Sequence, residues 1–67
     1  MRIHTLTVDG PGGLDTSVHH SETEAIRSLL AKHDPRGEHA TAGDLGDQMQ
    51  AVMDAQGLVV YIAEHEI

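Results

Sequence analysis

The chain has 67 residues and a formal net charge of −7, from eleven carboxylates against four Lys or Arg, with six His counted as neutral. That length supports one small domain. With no Cys, Trp or Phe and with Tyr61 as the sole aromatic residue, the composition excludes a disulfide scaffold, a cysteine zinc site, a thiol nucleophile and an aromatic platform for stacking bases.

Residues Arg2 to Val8 alternate Ile3, Thr5 and Thr7 with His4, Leu6 and Val8, a strand pattern. Asp9-Gly10-Pro11-Gly12-Gly13 concentrates turn formers, and Leu14 to His20 alternates again, so residues 2–20 read as a hairpin. Setting Val8 opposite Leu14 and Leu6 opposite Thr16 keeps the apolar sets on one face and leaves a loop of five residues. Thr5, Thr7, Asp15 and Ser17 then face water.

Ser21-Glu22-Thr23-Glu24 has the S-x-x-E form of a capping box, which makes Ser21 the N-cap of a helix over 21–34. Ile26, Leu29, Leu30 and His33 share its apolar face, Lys32 and His33 lie near its carbonyl end, and Pro35 stops it. The connection from Asp34 to Gly43 has no periodicity. Asp44 caps a second helix over 44–56, with Thr41 as the rival start; Leu45, Met49, Val52 and Met53 form its stripe and Gly57 ends it. From Leu58 a β-branched run becomes alternating, as expected of a strand over 58–67 that is covered on both faces at its start. Within it Tyr61 reads as a packed ring with its hydroxyl at the rim, the alternative being an exposed interface anchor.

The expected fold is therefore a small α+β domain of β-β-α-α-β order. If the two helices run up and down, the last strand lies parallel to the first. Strand order 2-1-3 then gives a mixed three-stranded sheet with both helices on one face, although a last strand antiparallel to the second is equally legal.

By segment, residues 1–20 carry −1, residues 21–36 carry zero and residues 37–67 carry −6. The acidic segment makes Asp44, Asp47, Asp54, Glu64 and Glu66 the candidate interaction surface, with Asp47 and Asp54 opposite the apolar stripe of their helix. An ordinary solvated face explains such charge; a surface complementary to a basic protein partner is the sharper reading. Direct nucleic-acid binding is not expected from four scattered basic residues.

His4, His19, His20, His33, His39 and His65 invite a metal site, but the hairpin proposed above puts His4 and His20 on one face and His19 on the other. No His pair has helical ligand spacing. Ser17, Ser21 and Ser28 lack a nucleophile-elbow context, and Gly10 to Gly13 join two strands and so serve a turn. No catalytic, cofactor or metal residue is assigned.

Arg2 to Gly10, the capped helix and the closing Val59-Val60-Tyr61-Ile62-Ala63-Glu64-His65-Glu66 together give the chain a size, composition and element order that resemble small acidic proteins encoded by actinobacteria, their plasmids and their phages. The resemblance implies an accessory or mobile-element origin and transfers no residue role.

The function expected is a non-enzymatic protein-interaction module. A domain of about 60 residues buries only roughly 60% of its unfolded surface, and without disulfides self-association is the supplement to expect, through a strand edge or an apolar helix surface. The alternative is an acidic mimic of nucleic acid that occupies a basic DNA- or RNA-binding protein, and the remoter one a His-metal protein or small enzyme. No segment has the length of a signal peptide's apolar core or a membrane span, so a cytoplasmic location is expected.

Overall fold

Pro11 and Gly12 decide how the first two strands meet. Proline presets the backbone angle at the first central position of a tight turn, and Gly13 follows with a φ of 109° that side chains rarely adopt. The glycines flanking the turn join the ladder, Gly10 opposite Gly13, and leave only two residues in the loop. The computed structural model, which describes all residues from Met1 to Ile67, has elements β1 (Arg2–Gly10), β2 (Gly13–His19), α1 (Glu22–His33), α2 (Leu45–Gln56) and β3 (Val59–Glu66).

The tight turn shifts the expected register by one residue. Leu6 stands opposite Ser17 and Val8 opposite Asp15, in place of Thr16 and Leu14. Because side chains alternate strictly along a strand, this slip exchanges the faces of β2. Leu14 and Val18, expected in the core, are 70% and 62% exposed.

The sheet has order β2-β1-β3 and both pairs are antiparallel. The mixed sheet expected from the sequence is thereby corrected. Lys32 Nζ donates to Asp15 Oδ2 at 2.7 Å, which brings the end of α1 to the hairpin-turn end of the sheet. The Gln56 side chain donates to the His33 carbonyl oxygen, so α2 finishes at that same end. β3 therefore starts there, at Val59 opposite Asp9, and must run back against β1. The two helices are not the short up-and-down pair that a parallel last strand requires. Eleven residues, Asp34 to Asp44, separate them; such a segment reaches up to ~36 Å, ample to return the chain along a 12-residue helix of ~18 Å.

The helix ends follow from local chemistry. Ser21 Oγ accepts from Glu24 N at 3.1 Å, while the Glu24 carboxylate takes His20 N, one residue before the position a full capping box would use. At α2 the box is complete: Asp44 Oδ1 accepts from Asp47 N and Asp47 Oδ2 from Asp44 N. Gly57, at φ 66°, closes that helix by donating its N–H to the Met53 carbonyl.

Leu6, Val8, Ala25, Leu29, Val52 and Leu58 form the core, with Met49, Met53, Val60 and Ile62 packed around it. Both helices thus lie against the face of the sheet that carries Leu6 and Val8. Leu58 plugs its turn end over Gly10, where a Cβ would collide with the leucine side chain. Seven of 67 residues are buried and none is polar, a small core for a domain already near the size limit. No helix is long and apolar enough to cross a membrane.

Candidate interaction surface

Register alone fixes what the second face of the sheet displays. Odd-numbered residues of β1 and β3 and even-numbered residues of β2 point away from the helices. In rows across the strands these are Leu14, Asp9 and Val59; Thr16, Thr7 and Tyr61; Val18, Thr5 and Ala63; then Ile3 with His65. Met1 and Ile67, joined by backbone hydrogen bonds of 3.0 and 2.8 Å, extend the ladder by one more row. The molecule exposes six large apolar side chains, Met1, Leu14, Val18, Val59, Tyr61 and Ile67, and all six belong to this outer face. Tyr61, expected as a packed ring, is 69% exposed, and β3 is covered on one face only, including at its start.

The three threonines and His65 of the face are paired within it. The Thr7 and Thr16 hydroxyls lie 3.3 Å apart, and Thr5 Oγ1 is 3.2 Å from His65 Nε2. Asp9 at the turn end is the only Asp, Glu, Lys or Arg among these positions. A surface whose one acidic side chain lies at its end and whose threonine hydroxyls are paired loses little when water is removed.

The five acidic candidates lie elsewhere and in separate settings. Asp44 and Asp47 bind each other's backbone amides at the start of α2, and Asp54 accepts from Gln50 Nε2 at 3.0 Å. Glu64 takes Arg2 Nε at 3.2 Å, and Glu66 stands exposed opposite Arg2 on the ladder. Two of the five carboxylates therefore act as helix caps, and a third is neutralised by the arginine of β1.

The register slip also rearranges the histidines. His4 faces His19 on the inner side of the sheet, where the sequence placed His20, and Glu64 flanks His4 from β3. His4 Nε2 is 3.9 Å from Glu64 Oε2, beyond hydrogen-bond reach, and His4 Nδ1 is buried without a partner. His19 Nε2 bonds Ser17 Oγ at 2.7 Å. A second cluster, Asp34, Glu38 and His39, holds its ligand-type atoms within 4.8 Å of one another; sequence spacing gave no sign of it because it lies in the aperiodic connection. The Asp34 carboxylate already accepts Glu38 N at 2.9 Å and His39 N at 3.0 Å, which makes it a staple of that loop.

At the turn end an open cleft of about 150 Å³ lies between Gly12, Leu14, His33 and Leu58, walled by Asp15 and Lys32. It is well below the roughly 300 Å³ at which small-molecule pockets begin. A hydrogen bond from the Lys32 ammonium, reinforced by its charge, holds the Asp15 carboxyl below its ordinary value of 3.8.

Comparison of the chain with protein-family models, with curated proteins and with solved structures gives no match. The functional reading accordingly rests on the surface. The sequence carried the signal for the outer face in Leu14, Val18, Val59 and Tyr61, but only a correct register separates these residues from the core set.

Proposed function

We propose that this protein is a non-enzymatic interaction module that binds a protein partner through the outer face of its sheet. One observation carries the reading: every large apolar side chain the molecule leaves exposed belongs to that face. The largest apolar patch on a small protein is often a functional one. Three strands about 4.8 Å apart and seven to nine residues long present roughly 400 Å² in projection, and Tyr61 on β3 is of a residue type enriched among interface anchors. The acidic residues support partner binding less directly, since Asp44, Asp47 and Glu64 have structural partners.

Partner retention by the immobilised protein and two sets of variants tests the proposal. Tyr61→Glu and Leu14→Glu are expected to lose the partner, whereas Asp54→Asn and Glu66→Gln retain it. The reverse pattern, with retention abolished by salt, would move the site to the acidic surface and favour mimicry of nucleic acid.

A further inference from the structure

We infer that the outer face is covered by a second copy of this chain, the two sheets stacking face to face about a two-fold axis; this rests on reading that face as the interaction surface and names its occupant. Charge selects the partner first. The chain carries −7 overall, yet the face holds one carboxylate, Asp9, at its end. A basic partner finds almost nothing to pair with there. An apolar face with little charge matches it, and a second copy presents one.

Area and shape agree. The molecule measures 35 × 25 × 15 Å, a slab of one sheet and one helical layer. Stacking two such sheets about 10 Å apart gives the aligned sandwich in which inner side chains interdigitate. With roughly 400 Å² in projection from each copy, and more once side-chain relief is included, the pair buries on the order of 1,000 Å², where specific interfaces begin. Seven buried residues per chain would then be joined by Leu14, Val18, Val59 and Tyr61 from both copies.

Orientation follows from the single carboxylate. An axis along the strands brings the two Asp9 side chains together; an axis across the strands sends them to opposite ends. The second arrangement is the one assigned. Edge-to-edge pairing through β2 or β3 is the competing mode of self-association, and it would leave the exposed apolar side chains of the outer face uncovered. Because the remaining charge of both copies repels at longer range, added salt strengthens this dimer, opposite to its effect on an ion-paired complex.

Sedimentation equilibrium of the full chain from about 1 μM to about 1 mM is expected to show a species of twice the 7.2 kDa monomer. Val18→Glu and Tyr61→Glu each place a charge on an exposed position and are expected to raise the dissociation constant about 100-fold or more, with amide NMR spectra confirming that the variants remain folded. A single 7.2 kDa species throughout, or dimers of undiminished affinity in both folded variants, overturns the inference. A photo-crosslinking residue at position 61, activated in the source cells, separates the inference from its foundation. A crosslinked homodimer supports both. Crosslinking to a different polypeptide overturns the second copy and keeps the face as an interaction site, and no crosslink of any kind removes both.

Discussion

The inner and outer faces of the one sheet are made from alternate residues of the same three strands, and they have opposite fates. On the inner face Leu6 and Val8 meet Ala25, Leu29 and Val52 and are almost fully buried; on the outer face Leu14, Val18, Val59 and Tyr61 are each more than 60% exposed. Hydrophobicity alone does not separate the two sets. What separates them is the helical layer, which lies on one side of the sheet only. Apolar content in a domain of this size therefore has two uses, and the side lacking a second layer is the one available to a partner.

Substitution of one leucine on each face tests the contrast between them. Leu29→Ala, at a side chain 1% exposed, is expected to cost about 2–5 kcal/mol, enough to unfold much of so small a domain. Leu14→Ala, 70% exposed, is expected to change the stability extrapolated to infinite dilution by less than about 0.5 kcal/mol. Urea denaturation of both variants checks the pair, and equal losses would mean that the outer face is already part of the monomer's core.

Backbone and cap substitutions come next. Gly43 has a φ of 140° and a Cβ there would strike the Asp47 side chain, so Gly43→Ala is expected to destabilise by about 1–3 kcal/mol and to undo the capping box. Asp44→Ala removes the cap itself, at about 1 kcal/mol. Asp54→Ala, which loses only an exposed contact with Gln50, falls within about 0.5 kcal/mol of the parent. Thermal melts in the three variants would thereby show that the acidic residues of α2 differ in role, and equal melts for Asp44→Ala and Asp54→Ala would refute it.

The smallest effect concerns Asp15 on the edge strand. Its carboxyl is held below 3.8 by the Lys32 hydrogen bond and charge. A folded-state value depressed in this way contributes stability above the unfolded value and loses it as pH falls through the folded one. The melting temperature of the parent is therefore expected to exceed that of Asp15→Asn slightly near neutral pH, with the difference fading below pH 3.8. Because the pair is exposed, the gap is small at neutral pH and smaller in high salt.

Features that depend on neighbours along the chain are legible from the residues alone. Ser21 and Asp44 are legible as caps because their side chains need only the amides two or three residues on, and Gly57 marks a helix end because a left-handed residue is needed there. The stripe of Met49, Val52 and Met53 is set by the helical period. The hairpin register, the direction of β3 and the partition of apolar residues between core and surface are set instead by packing between distant segments. A register that matches apolar faces buries Leu14 and Val18, whereas the Pro11-Gly12 turn shifts β2 by one residue and turns both outward. The direction of β3 hung on where α2 ends, which is set by packing against α1 across an aperiodic connection. Both decisions are made by contacts between residues far apart in the chain, and on them depends the apolar outer face.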